Sequence, residues 1–207
     1  MPSVARLFMF ALAASFATAT ISAQNVKPTP QPPPPPANDY FPDKWVQFSS
    51  KEGKFKAAFP GQPKLTSVTT DTPEGKQTSQ IHQYGSGRFL SYAVMYTDFP
   101  RKIENAAFNV LFDNLRDYWK NLLKDCQVTS ETDITLDGHA GKFLQIQSDK
   151  AVMRVKGLTV ENRLYVAMIV APIQINAMKS EDGYKEIATA FLDSFHISNL
   201  PESEAKK

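Results

Sequence analysis

The chain has 207 residues, room for one domain of ordinary size or two very small ones. Hydrophobic residues make up 42%, enough to bury a core, and the net charge is only +2, without the strongly basic face of a dedicated nucleic-acid binder. Cys126 is the only cysteine, which excludes an internal disulfide and any zinc site that needs two or more thiolates.

Residues 1–23 read MPSVARLFMFALAASFATATISA. Arg6 and the amino terminus give a short positive region, an apolar stretch runs from Leu7 to Phe16 broken only by Ser15, and Ala17-Thr18-Ala19 and Ile21-Ser22-Ala23 follow as small-residue cleavage sites. That is the layout of a secretory signal peptide, and export of the mature chain to the periplasm or medium is the expectation. The serines and threonines make the segment a poor membrane anchor, and no cysteine stands near the cleavage region to carry a lipid. After the signal no run is apolar and long enough to span a bilayer.

Residues 24–38 are expected to be a spacer. Seven of the eleven residues in 27–37 are proline. Proline fixes φ and donates no amide hydrogen, so this stretch favours an extended polyproline II rod over any helix or sheet interior. A stiff tether is preferred to a docking ligand, because readers of such sequences are mostly signalling modules.

The folded domain is expected over 39–198, with a polar, fraying tail at 199–207. Strands are predicted at 45–48 and 55–59, where Phe55, Ala57 and Phe59 alternate with polar or small residues. The threonine-rich stretches 65–72 and 76–84 read as an exposed hairpin at a sheet edge. Residues 88–99 are apolar on both sides, the pattern of a central strand covered on both faces. A helix follows over 105–124, with Ala107, Val110, Leu111, Asn114, Leu115, Tyr118, Leu122 and Leu123 as its apolar stripe, widened by Trp119, and Asn105 as its cap.

Strands at 128–136 and 142–147 meet across Asp137-Gly138, a strong hairpin signal. Strands at 151–160 and 163–171 meet across Glu161-Asn162, with Asn162 suited to a left-handed turn. Residues 164–171 form a second candidate for the sheet centre, and Gly157 suggests a bulge in its partner. A last helix over 181–195 carries Tyr184, Ile187, Ala188, Phe191, Leu192 and Phe195 on one face, with Ser180 as its cap. Long meanders with two substantial helices imply an antiparallel sheet covered by helices, an α+β class and not a doubly wound parallel one.

Several short motifs in this order resemble bacterial proteins related to PsbP and Mog1. They are residues 45–55 running into Phe59-Pro60-Gly61, the turn 136–142, Asn162-Arg163-Leu164-Tyr165-Val166 and the closing Phe191-Leu192-Asp193-Ser194-Phe195. The resemblance covers residues 45–197. It implies an α/β/α sandwich around a mostly antiparallel sheet covered by two main helices. PsbP is an extrinsic photosystem II subunit and Mog1 an adaptor of a small GTPase, and both act by binding protein surfaces. The shared motifs are turn and core residues, so they imply a fold and transfer no active site.

No phosphate-binding loop, nucleophile elbow, zincin motif or haem-attachment motif occurs in the sequence. His82 falls in a polar edge strand, and His139 in a hairpin turn with Asp137, where two ligands would hold a metal weakly. His196 stands at the end of the last helix, where the dipole alone favours a polar ring. Cys126 has no sequence neighbour that would activate a thiol. Glu181 and Asp182 suit a helix start, and Glu202 and Glu204 a solvated tail. No catalytic, cofactor-binding or metal residue is assigned on this reading, and no cofactor. The expected function is an exported, non-catalytic binding or accessory module of the cell envelope with a protein partner and no nucleic acid. The hairpin 65–84 and the Asp137-Gly138 turn are its freest contact surfaces. The alternatives are a small-ligand carrier with an apolar pocket, and an envelope hydrolase whose site is assembled from scattered residues.

Overall fold

A computed structural model describes residues 44–72, 75–85, 90–123, 125–173 and 181–198. The expected signal, spacer and tail, the Ser180 cap and residues 88–89 of the predicted central strand lie outside the described residues.

The chain enters as a hairpin. β1 (Val46–Ser50) pairs antiparallel with β2 (Phe55–Phe59) across a turn in which Ser50 Oγ accepts the Gly53 amide at 2.9 Å. The free side of β2 is filled from the far end of the domain by β10 (His196–Ile197), which sets Ile197 opposite Phe55. These three strands form a small sheet of their own.

The larger sheet has seven strands. They are β3 (Lys64–Thr72), β4 (Gly75–Tyr84), β5 (Ser91–Asp98), β6 (Gln127–Leu136), β7 (His139–Gln147), β8 (Ala151–Val160) and β9 (Arg163–Pro172). Their spatial order is β3-β4-β5-β9-β8-β7-β6, and every pairing is antiparallel. Among the described residues two helices, α1 (Asn105–Leu123) and α2 (Glu181–Ser194), complete an α+β architecture. The sequence implied one sheet, and two form. With β1 on one side and β10 on the other, β2 has no edge left to offer the larger sheet, so Phe55 and Phe59 pack onto that sheet's face instead.

The doubly apolar strands lie where their patterns put them. β5 and β9 are paired neighbours at the centre of the larger sheet. Side chains alternate across a strand. Tyr92, Val94 and Tyr96 of β5 therefore join Tyr165, Ala167 and Ile169 of β9 in a core completed by Phe55, Phe59, Phe191 and Phe195. Ala93 and Met95 join Val166 and Met168 in a second core completed by Phe108, Phe112, Leu115 and Trp119 of α1. A residue slip in either strand would exchange the two sets.

Three local expectations are corrected. The buried stripe of α1 is Phe108, Phe112, Leu115 and Trp119, while Ala107 and Val110 face outward, Val110 at 57% exposure. The large rings carry more apolar area than alanine or valine and so turn the helix toward themselves. Gly157 makes no bulge, since its register runs unbroken through both neighbouring strands. It is there for space, because a Cβ would meet Phe112 Cε2 at 2.7 Å. The irregularity of the meander lies instead at Val128/Ser130. In the turn between β8 and β9 the left-handed residue is Glu161 (φ 53°), not Asn162. Asn162 spends its side chain on the exit of β5, donating from Nδ2 to the Phe99 carbonyl at 2.7 Å. The turn at Asp137-Gly138 does take positive φ at both residues, 49° and 81°, as a two-residue hairpin requires.

Candidate functional site

The densest polar and aromatic cluster lies where the small sheet meets the large one. Tyr96 and Asp98 stand two residues apart on β5, and Arg163 and Tyr165 two apart on β9. The register places Tyr96 opposite Tyr165 and Asp98 opposite Arg163. Arg163 grips Asp98 with a fork, Nε to Oδ1 at 2.6 Å and Nη2 to Oδ2 at 2.7 Å. Its third arm, Nη1, donates to the Glu52 carbonyl in the β1–β2 turn at 2.7 Å. The Tyr165 hydroxyl donates to the neighbouring Gly53 carbonyl at 2.8 Å. The Arg163 guanidinium also lies over the Tyr96 ring, 4.6 Å from its centroid. The Asp98 hydrogen bonds hold Arg163 more firmly charged than usual. Burial, helped by the nearby Glu52 and Asp98 charges, pushes the Tyr96 hydroxyl up to about 12.

His82 belongs to this cluster, contrary to the expectation of a polar edge position. β4 is an interior strand, and His82 is 7% exposed. Its ring lies 4.9 Å from that of Phe48 and 5.3 Å from that of Phe55 across the junction, and 6.3 Å from Tyr96 beside it. Burial lowers its pKa against an opposing pull from Glu52. The strand misled the sequence reading because Gln77, Ser79 and His82 are polar residues on buried positions, and Ser79 satisfies itself on Thr97 at 2.8 Å.

The other candidates lie apart. Asp137 does not join His139. It reaches the far end of the chain, where Oδ1 meets His196 Nδ1 at 3.1 Å and Oδ2 accepts the Ile197 amide at 2.7 Å. The Asp137-Gly138 turn is thus clasped to β10 and is less free than its sequence suggested. His196 lies in β10, beyond the helix end. Cys126 is half-buried, its thiol donates to the Lys120 carbonyl at 3.4 Å, and burial raises its pKa, the reverse of activation. Among the described residues no three His, Cys, Asp or Glu side chains are grouped to hold a metal ion, and no helix is long and apolar enough to cross a membrane. The Tyr92 hydroxyl and the Trp119 indole nitrogen are buried without a hydrogen-bond partner.

The two ends of the large sheet differ. β6 carries the register break, and its Glu131 and Asp133 are drawn into ion pairs with Arg116 and Lys142. β3 pairs with β4 over its whole length without a break. Only residues 79–84 of β4 go on to pair with β5. The stretch from Gly75 to Thr78, with its partners Thr69–Thr72, therefore runs on past β5 as a two-stranded arm. Its exposed Thr69 and Thr78 hydroxyls meet across the strands at 2.9 Å.

No protein-family model and no curated protein matches the sequence. The fold does have solved counterparts. The solution structure of cyanobacterial PsbP (CyanoP) from Synechocystis sp. PCC 6803 superposes over 74% of this chain and 92% of that one, with 11% identity and a TM-score of 0.50. The chain has a PsbP-like fold. At that identity the likeness speaks for architecture alone. PA94 of Pseudomonas aeruginosa also matches, over 70% of this chain and 94% of that one, at 10% identity and a TM-score of 0.36, too low to bear on the fold.

Sequence reasoning missed the Arg163 cluster as a unit. Asn162-Arg163-Leu164-Tyr165-Val166 stood out only as a turn motif. The i, i+2 spacing of Arg163 and Tyr165, and of Tyr96 and Asp98, was the available signal, but it becomes meaningful only once β5 and β9 are known to pair.

Proposed function

We propose that the protein is an exported, non-catalytic binding module of the cell envelope that contacts a protein partner, built as an α/β/α sandwich of the PsbP/Mog1 kind. The observation that carries this reading is where the reactive side chains are spent. Arg163 and Asp98 hold the two sheets together. Asp137 and His196 fasten the chain's end. Lys156 ties β8 to α2 through Asp193 at 2.6 Å. Each of these side chains is engaged in cohesion. The arm of β3 and β4, by contrast, is polar and threonine-rich, its Asp71 and Lys76 facing one another across the strands and its Gln77 bonded to the Asp98 carbonyl, and a regular edge strand offers unpaired backbone groups to a partner chain. The arm is therefore the proposed contact surface, and the signal and spacer would export the domain and hold it clear of the envelope.

Site-specific photo-crosslinking in cells making the full chain tests this. A crosslinker at Thr69 or Thr78 is expected to yield a discrete protein adduct, and one at Asn109 on the outer side of α1 none. No adduct from either arm position, or equal adducts from all three, would overturn the reading.

A further inference from the structure

We propose that His82 is an acid-operated latch between the two sheets: protonation of its ring releases the β1–β2 hairpin from the face of the large sheet. His82 belongs to β4 of the large sheet, whereas the rings it touches at 4.9 and 5.3 Å, Phe48 and Phe55, belong to β1 and β2 of the small one. The Phe48 and Phe55 rings packed on it offer no hydrogen-bond acceptor to a proton gained on the ring. The residue is 7% exposed, so little water reaches the ring to solvate the new charge.

The charged and titratable neighbours are few. From the β1–β2 turn comes Glu52, whose carboxylate favours the imidazolium but does not outweigh burial. Lys51 and Lys54 share that turn, and Lys64 lies beside Leu65, the residue opposite His82 on β3. β5 supplies Tyr96 and Asp98, and β9 supplies Arg163 and Tyr165. Arg163 and Asp98 already neutralise one another in their fork. Within the small sheet Lys56 faces His196 across β2 and β10.

The sign follows from the lowered pKa. The opened hairpin, with His82 in water, takes up a proton near the ordinary value of 6.5, whereas the closed form resists it to lower pH. The full closing strength is therefore present above about pH 6.5 and is lost as pH falls through the closed-form value. One proton limits the change to about tenfold in the opening constant per pH unit. The hydrogen bonds from the β1–β2 turn to the large sheet, Arg163 to the Glu52 carbonyl and Tyr165 to the Gly53 carbonyl, involve no histidine, while β10 is tied to that sheet by His196 and Ile197 on Asp137. His196 is the control, since its ring is exposed and turned toward Asp137.

Amide hydrogen exchange of the full chain between pH 7.5 and 5, corrected for intrinsic exchange, tests the latch. In the wild type, amides of β1 and β2 are expected to lose protection below pH 6.5, by up to about tenfold per pH unit, while β5 and β9 keep theirs. His82→Phe, which keeps a ring in place, should abolish that dependence, and His196→Gln should retain it. Protection that is independent of pH, a uniform loss in all strands, or an unchanged response in His82→Phe would overturn the proposal. Should His82→Phe fail to fold, an NMR titration of the His82 ring in the wild type decides: a midpoint below 6.5 supports the latch, and one at or above 6.5 refutes it.

Discussion

Replacing Phe191 with alanine is expected to cost about 3–5 kcal/mol of stability, the usual range for emptying a buried phenylalanine site. Phe191 is fully buried on α2. Its ring meets Phe59 of the small sheet edge-on at 5.3 Å and Tyr92 of the large sheet edge-on at 5.2 Å. It therefore touches both sheets at once, and alanine would leave a cavity at the point where three elements share one core. For a domain of this size the melting temperature should fall by roughly 10 °C or more. Phe191→Leu, which refills most of the volume, should recover the larger part. Thermal or urea unfolding of the two variants checks this, and a loss below about 1 kcal/mol in the alanine variant would mean that the sheets do not share that core.

Arg163→Ala is the second large effect, expected at about 2–4 kcal/mol. The substitution removes the fork on Asp98, the bond to the Glu52 carbonyl and the cation over Tyr96 in one step. Its side chain is 16% exposed, and the carboxylate it abandons is 50% exposed. Water can thus rescue part of Asp98, which keeps the expectation below that of a fully buried ion pair. Arg163→Lys keeps the charge but cannot reproduce three donors in one plane, so it should recover less than half of the loss. Full recovery in the lysine variant would show that charge alone, without the fork, joins the turn to the sheet. Urea unfolding monitored by circular dichroism resolves differences of this size.

Much of this architecture could be read directly from residue patterns. The apolar runs around Val94 and Ala167 marked two strands covered on both faces, and they are adjacent at the sheet centre. The stripe of α2 from Tyr184 to Phe195 is the buried one, and Asp137-Gly138 forms the turn its residues demand. What escaped the sequence depends on long-range pairing. Nothing local to His196-Ile197 reveals that two residues will close the open side of β2. Ser79 and His82 read as surface residues because their partners, Thr97 and the Phe48 and Phe55 rings, come from other strands. The stripe of α1 was misplaced because a spacing of three or four fits both Val110 and Phe112, and only ring size decides between them. For the candidate site the limit was sharper. Arg163 could not be joined to Asp98, 65 positions away, before the strand order was known.

On the proposed reading the charged cluster of this domain serves cohesion and recognition lies on the β3–β4 arm. Its most direct test is a paired measurement on Thr69→Lys with Thr78→Glu, an opposite-charge pair that preserves the cross-strand contact. Stability should stay within about 0.5 kcal/mol of wild type, as for other exposed positions, while the adduct formed by a crosslinker at neighbouring Ser67 disappears. A doubly substituted protein that remains folded and still gives the full adduct would contradict the account.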